Sequence, residues 1–510
     1  MCGIVGVWNQ SDKNTVQQMM ALLAHRGPDG SGIWSDEVHT TFGHDRLAIM
    51  DPKAGRQPLQ NEDGSLTVVA NGEIYNYPEI YRKLNTRHTF QTGSDSEALV
   101  HLFEDRRSSM VRSLDGMYAF ALTDGERLVL ARDHIGIKPL YYGYRENEPQ
   151  RAMLFASEMK ALTPFVARIH EFPPGYVYDS GTGFHRYYSV PKLDPQPQPL
   201  EHYTQQVRKM IEESVVKQLM SNVPLGVFLS GGLDSAIIAA LARPHLDKLH
   251  TFAVGVEGSS DVEAARYVAQ MIGAIHHEYL FTAEELLAEL PRIIYHLESF
   301  DQDLVRSAIP CYFCSRLAAE HVKVVLTGEG SDELFAGYGY YKDIGSPDAL
   351  HRELRRSVKS LHHINLQRLD RMSMAHGLEG RVPFLSRELV DFSFQIPPQW
   401  KIYRDESGQV VEKWILRKAF EGLLPPNILW RTKEQFDEGS GTVELMERVL
   451  HSYIQNFDTS RSPLDNLSIN LRSSEERFYH RIFTEVFDHP DRLLPNIGRW
   501  SHRPQFKMVQ

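Results

Sequence analysis

The sequence predicts two domains, an N-terminal α+β unit rich in antiparallel strands and a C-terminal α/β unit built on a parallel sheet. Three observations carry this. The 510 residues exceed what one hydrophobic core usually supports. Up to about residue 190, short alternating apolar runs are punctuated by Gly, Asn and Asp turns, whereas beyond 203 apolar strands alternate with helical stretches. Between them PKLDPQPQPLEHY (191–203) puts four prolines in nine positions. Such a stretch neither pairs as a central strand nor continues a helix, so it reads as a linker.

In the first unit GIVGVW, LTVVANGEIYN, YAFALTD, RLVLARD and LYYGY predict strands. In the second, residues 203–220 are amphipathic, VPLGVFLS is an apolar strand, and GGLDS leads into the helical AIIAALA. LHTFAVGV and VKVVLTG are further strands, separated by the helical DVEAARYVAQMIG and TAEELLAELPRIIYHL. From about residue 350 the chain is mostly helical and charged.

Composition narrows the function classes. A net charge of -11 argues against nucleic-acid or anionic-membrane binding, both of which want a basic face. Three cysteines cannot form a disulfide framework, which predicts a reducing, cytoplasmic setting. No apolar run is long enough to span a bilayer, and no signal-peptide pattern opens the chain.

Two turns carry nucleotide chemistry. FLSGGLDSA (228–236) runs from strand through a glycine-rich loop to a helix. Its glycines let backbone N–H groups approach an anion, and the helix N-terminus favours negative charge there. Ser230 and Ser235 can donate to phosphate oxygens. Asp234 would repel a phosphate unless Mg2+ lies between them, so the loop implies a metal-bound triphosphate. A corner of small residues needed for packing is the competing reading. SGGLDS lacks the Gly-Lys-Ser/Thr of a Walker loop and instead resembles the pyrophosphate-binding loop of ATP pyrophosphatases. In VLTGEGSDELFAGY (325–338), Asp332 suits magnesium and Glu329 suits proton transfer, with Glu333 beside them. A single acidic turn is normally just solvated. Two such turns after two strands of one sheet favour a ligand crevice. In WRTKEQFDEGSG (430–441), Lys433 is a candidate to neutralise pyrophosphate.

Over nearly its whole length the chain resembles glutamine-dependent asparagine synthetases. The motifs are MCGIVG, HRGPDGSG, RLAIMD, NGEIYN, GSDSE, LDGMYAFAL, ARDHIGIKPLYYG, SGGLDS, GEGSDELFAGY, EGRVPFL, KEQF and EERFYHRIF. The resemblance implies an Ntn-type αββα sandwich of antiparallel sheets as a class II glutaminase domain (2–190), a linker (191–203), and a parallel-sheet ATP-pyrophosphatase domain with a helical extension (204–510). It implies loss of Met1, leaving Cys2 as nucleophile. A thiol of pKa ~8.5 needs a base, and a neutral α-amino group of pKa ~7.7 on the same residue can serve.

By the same resemblance Arg46, Leu47 and Ile49 would bind glutamine, with Arg46 on its α-carboxylate. Glu73 and Asp95 would hold its α-ammonium, while Asn71 and the Gly72 N–H form an oxyanion hole. ATP would lie on Leu229, Ser230, Gly231, Gly232, Leu233, Asp234, Ser235, Val254, Thr327 and Gly328, with Asp234 and Asp332 on Mg2+. Glu329 would assist attack of ammonia on β-aspartyl-AMP. The segment around ESFDQDLVRSAIP, including Glu298, would line the acceptor pocket, with Arg306 gripping the acceptor carboxylate. Ammonia would travel inside the protein, since in water near pH 7 it protonates. The expected partners are glutamine, ATP and aspartate or a related acid, without nucleic acid or membrane, and a homodimer is the candidate assembly.

Some positions depart from the family pattern: Ala236 and Thr327 stand where serine is usual, and Ser386 where aspartate is common. They leave an alternative, the same ligation on another carboxylic acid. A lactam-forming cyclase is opposed by Cys2, Asn71 and Asp95 being present, and a non-catalytic sensor by Cys2, Asp234 and Glu329. The pair Cys311 and Cys314 lacks a second CxxC and reads as buried helix. Among the 23 histidines, neither His276-His277 nor His362-His363 nor any other shows metal-ligand spacing with a carboxylate.

Overall fold

A computed structural model describes residues 2–146, 151–192, 197–404, 408–431, 436–455 and 469–500. The first domain is built of β1 (Cys2–Trp8), β2 (Gly30–Ser35), β3 (Thr40–Arg46), β4 (Leu59–Gln60), β5 (Thr67–Ile74), β6 (Gly116–Thr123), β7 (Leu128–Arg132), β8 (Tyr141–Tyr144), β9 (Met153–Ala156), β10 (Ile169–Glu171), β11 (Tyr176–Asp179) and β12 (Gly183–Arg186). They form two antiparallel sheets, ordered β10-β8-β9-β1-β3-β2 and β12-β11-β7-β6-β5-β4. Helix α1 (Lys13–Leu23) covers the first sheet, and α2 (Tyr77–Leu84) and α3 (Ala98–Arg106) cover the second. The result is the expected αββα sandwich.

The period of two along β6 explains the layering. Tyr118, Phe120 and Leu122 pack towards Leu99, Leu102 and Phe103 of α3. The alternate Ala119 and Ala121 face the other sheet, meeting Ile4, Phe42 and Phe155. Small residues on that face let the sheets approach around larger partners.

The second domain starts with α4 (Leu200–Gln218) and continues β13 (Leu225–Phe228), α5 (Leu233–Ala242), β14 (His250–Gly255), α6 (Ser260–Ile272), β15 (Ile275–Leu280), α7 (Ala283–Leu297), α8 (Gln302–Ala319), β16 (Val324–Leu326), α9 (Ser331–Phe335), α10 (Pro347–Ser360), α11 (Asn365–Met374) and β17 (Glu379–Arg381). Its sheet is parallel, ordered β15-β14-β13-β16-β17. The two turns singled out by sequence thus follow adjacent strands, β13 and β16.

Two details differ from the sequence reading. α4 begins three residues earlier than expected, because Pro199 stands at its N-cap and no proline follows. The strands β15 (IHHEYL) and β17 (EGR) carry too few apolar residues to show a strand pattern. They form because they pair with β14 and β16.

The domains meet over buried charge. Arg26 donates to Glu158 Oε1 at 2.6 Å and to both oxygens of Asp370, at 2.8 and 3.0 Å. Arg371 donates to Glu298 Oε2 at 3.0 Å and to the Ser157 carbonyl at 3.1 Å. Glu298 also accepts the Met159 and Lys160 amides. It therefore faces the first domain and is not part of the acceptor pocket assigned to it from sequence. Removing one member of such a network strands its partners without water. Arg371→Met is accordingly expected to cost about 3–5 kcal/mol, seen by calorimetry as a lowered unfolding transition; an unchanged transition would mean that the charges are not mutually dependent.

Candidate active sites

The first site lies where β1, β3 and β5 bring their ends together. Cys2 opens β1 and pairs across to Arg46, the last residue of β3. The Cys2 amide donates to Asn71 Oδ1 at 3.0 Å. Asn71 is fully buried on β5, and its Nδ2 has no hydrogen-bond partner. An orphaned buried donor beside a cysteine is costly unless a ligand uses it. Next to it, Gly72 has φ +142, and a Cβ there would lie 1.9 Å from the Met117 carbonyl oxygen. Only glycine allows β5 and β6 to approach so closely here.

Burial pushes the Cys2 thiol up; positive charge at the amino terminus, the Leu47 amide and Arg46 oppose it. The Arg46 guanidinium donates to the carbonyls of Met50, Asp51 and Pro52 at 3.2, 2.7 and 3.2 Å. These use three of its five N–H donors, bracing it with the rest left over. Leu47 and Ile49 are buried beside it. Asp95 begins a short 3-10 turn and accepts the Ile74 amide at 2.6 Å. Burial holds its carboxyl at about 6. Glu73 is pushed well above the usual range by burial and by Asp95 and Glu379. Two buried carboxyls raised this way form a pocket that favours an added cation.

The second site is a cavity of about 490 Å3 at the carboxyl ends of β13, β14 and β16. Leu229, Ser230, Gly232, Leu233, Asp234, Ser235, Val254, Arg306, Thr327, Gly328, Glu329 and Asp332 all line it. Gly231 does not. It sits at φ +69 against α6, where a Cβ would lie 2.5 Å from Ala264, so it shapes the loop from behind. Ala236 is fully buried among core residues and does not line the cavity. Cys311 and Cys314 form part of the wall from within α8, and burial raises both thiols. They are inert packing groups. Lys433 lies outside the described residues.

Here the structure adds residues that sequence reading did not find. Lys413 Nζ lies 2.6 Å from both Asp234 Oδ2 and Asp332 Oδ1, so the two carboxylates converge on one point. Arg368 of α11 pairs with Glu329. Arg306 is held bidentately by Glu475 at 2.7 and 2.6 Å, and Tyr479 donates to the same carboxylate at 2.8 Å. Both partners come from the helix Ser474–Val486, the EERFYHRIF stretch.

A single strand joins the sites. The Arg381 carbonyl on β17 accepts the Thr327 amide at 2.9 Å, at the rim of the cavity. Its guanidinium donates to Glu379 at 2.6 Å and lies 3.6 Å from Glu73 of the first site. Arg26 acts likewise, donating through Nε to the Cys2 carbonyl at 3.1 Å while its other nitrogens grip Asp370. Arg26 belongs to HRGPDG, so its motif was visible although its role was not.

Comparison with known proteins agrees with this two-site arrangement. Residues 1–211 match the glutamine amidotransferase domain family, and residues 206–346 and 342–508 match the asparagine synthase family. Glutamine-hydrolysing asparagine synthetase 2 of Arabidopsis thaliana is 39% identical over 514 residues, covering 96% of this chain and 87% of that protein. The Sandersonia aurantiaca enzyme of the same name is 39% identical over 513 residues, covering 96% of each chain. That of Zea mays is 38% identical over 516 residues, covering 96% of this chain and 86% of its own.

Proposed function

The chain belongs to the glutamine-hydrolysing asparagine synthetase family, and from that premise we propose how its two sites share the reaction. The protein is a carbon–nitrogen ligase that makes asparagine from aspartate, ATP and glutamine. An acceptor other than aspartate is not favoured, since the relatives that match end to end carry the asparagine synthetase name. The observation that carries the division of labour is one chain holding both the buried Cys2–Asn71 pair and a cavity where Asp234 and Asp332 converge.

In the first site Met1 is removed and the freed α-amino group takes the Cys2 thiol proton. Arg46 binds the glutamine α-carboxylate, with Leu47 and Ile49 beside it, and Glu73 and Asp95 bind its ammonium. Sulfur attacks the side-chain amide while Asn71 Nδ2 and the Gly72 N–H donate hydrogen bonds to the developing oxyanion. Ammonia leaves, and water releases glutamate from the thioester. The unpartnered Asn71 donor and the raised carboxyls support these roles.

In the second site Leu229, Val254, Thr327 and Gly328 take adenine, and the loop Ser230–Ser235 takes the phosphates. Two carboxylates converging on one point suit a hard divalent cation, so Asp234 and Asp332 would hold Mg2+, which neutralises phosphate charge when bound. The Lys413 ammonium stands at that point of convergence, so Mg2+ would displace it towards the departing pyrophosphate, whose charge it would neutralise; Lys433 is a second candidate. The aspartate β-carboxylate attacks the α-phosphate, giving β-aspartyl-AMP and pyrophosphate. Ammonia then displaces AMP while Glu329, oriented by Arg368, receives the proton. Arg306 can contact the acceptor carboxylate only by sharing its guanidinium with Glu475. Three buried, unpaired cysteines suit a cytoplasmic setting; among the described residues no helix is long and apolar enough to cross a membrane.

Cys2→Ala tests the division. Glutamine-dependent asparagine formation should vanish while ammonia-dependent formation persists; loss of both would reject two separable sites. A pH profile tests the ammonium pocket. Asp95 must be ionised to hold the substrate cation, and it ionises above about 6. So kcat/KM for glutamine should fall as pH drops through about 6, with the limb displaced to lower pH in kcat, because bound ammonium keeps the carboxyls ionised. Asp95→Asn should raise KM for glutamine by about 10- to 100-fold and abolish that limb; an unchanged limb would exclude Asp95.

A further inference from the structure

The first domain carries a second cluster of donors that plays no part in either site. Glu62 follows β4, His88 follows α2, and His101 and Glu104 lie one turn apart on α3. One ligand atom from each lies within 4.8 Å of the other three. His88 Nδ1 is 3.6 Å from Glu62 and 3.1 Å from Glu104. His101 Nδ1 is 3.2 Å from Glu62 and 3.3 Å from Glu104. Around a tetrahedral ion with bonds of about 2.0–2.1 Å, neighbouring ligand atoms stand about 3.3–3.4 Å apart. With Glu62 offering Oε2 and Glu104 offering Oε2, the contacts of 3.2, 3.1 and 3.3 Å lie near that edge, while the His88 contact to Glu62 runs to its other oxygen, Oε1.

The surroundings orient all four groups. On its far side each imidazole faces another carboxylate: His88 Nε2 lies 3.4 Å from Asp105 Oδ1, and His101 Nε2 lies 3.6 Å from Glu97 Oε1. A carboxylate behind the ring is the support that metal-binding histidines use, holding Nε2–H when Nδ1 takes an ion. The glutamates are braced too. Asn61 Nδ2 donates to Glu104 Oε1 at 3.0 Å, and the Thr89 amide donates to Glu62 Oε1 at 3.0 Å. His101 is wholly buried, whereas the Glu62 and Glu104 side chains are 33% and 28% exposed, so an ion can enter from solvent.

Both Nδ1 atoms face carboxylate oxygens, a contact that needs positive charge between them, either a proton on each ring or a metal ion in its place. We propose that Glu62, His88, His101 and Glu104 bind one divalent transition metal ion, with zinc the best fit. Two imidazole nitrogens with two carboxylate oxygens in tetrahedral spacing suit zinc, whereas calcium and magnesium take oxygen ligands in larger number. The other histidine cluster, Glu171 with His362 and His363, differs because Arg132 Nη1 already lies 2.7 Å from Glu171 Oε1. The sequence reading that no histidine has metal-ligand spacing with a carboxylate overlooked His101 and Glu104, an i,i+3 pair on α3; the other two ligands come from separate segments and left no local signal. The site's consequence reaches the glutamine pocket. Glu97, behind His101, accepts the Gln91 and Thr92 amides at 2.6 and 2.7 Å and lies two residues from Asp95. The ion would stiffen the loop that places Asp95.

The test uses the full chain, stripped with chelator and titrated with Zn2+ alone, then with Co2+. One equivalent should bind per chain, Co2+ should show the strong visible bands of tetrahedral coordination, and the thermal transition should rise. Glu62→Gln and His88→Ala, both on solvent-accessible loops, should each weaken binding at least 10-fold while leaving ammonia-dependent synthesis intact. Asp105→Asn should weaken it by about 10-fold through its imidazole. Cys2→Ala should bind as wild type, separating this site from the nucleophile. Equal binding by wild type, Glu62→Gln and His88→Ala, or no stoichiometric binding, would overturn the proposal and leave a cluster held by protonated imidazoles alone.

Discussion

A guanidinium buried as deeply as that of Arg26 must find anions, and the anions it finds belong to two domains. Glu158 comes from the first domain and Asp370 from α11 of the second. Its Nε–H donates to the carbonyl of Cys2. The backbone of Cys2 is therefore anchored by the same side chain that anchors the domain interface. Arg371 with Glu298 repeats the arrangement in the opposite sense, a cation from the second domain bonded also to the Ser157 carbonyl of the first. Buried charge of this kind tolerates little sliding, because any displacement leaves an ion without a partner. That rigidity is what a reaction split between two sites requires.

Arg381 extends the same constraint to the substrates. Its backbone supports Thr327 at the nucleotide cavity, while its side chain reaches Glu73 and Glu379 beside the cysteine. One residue therefore contacts the walls of both sites.

Much of this was legible in the sequence where the signal is local. The alternation in GMYAFALT follows from one face meeting a helix and the other a second sheet, and SGGLDS and GEGSDE announce their turns by their glycines. What escaped was made by distant contact. Lys413 is 179 residues from Asp234, and nothing in EKWILRK marks its lysine as the partner of two cavity carboxylates. β17 has three residues, two of them charged, and exists only because β16 offers a pairing edge. Glu298 read as a pocket residue from its neighbours, yet stands at a helix end with φ +55, turned to the interface. Of the histidine cluster only the His101–Glu104 pair is local; Glu62 and His88 join it from other segments.

The central claim is that the two sites are held as one unit so that ammonia passes between them without meeting bulk water. The most direct measurement supplies glutamine labelled with 15N in its amide together with excess unlabelled ammonium, and reads the isotope in the asparagine formed. A held interface predicts asparagine carrying predominantly the glutamine label. Label diluted to the ratio of the bulk ammonium pool would contradict it.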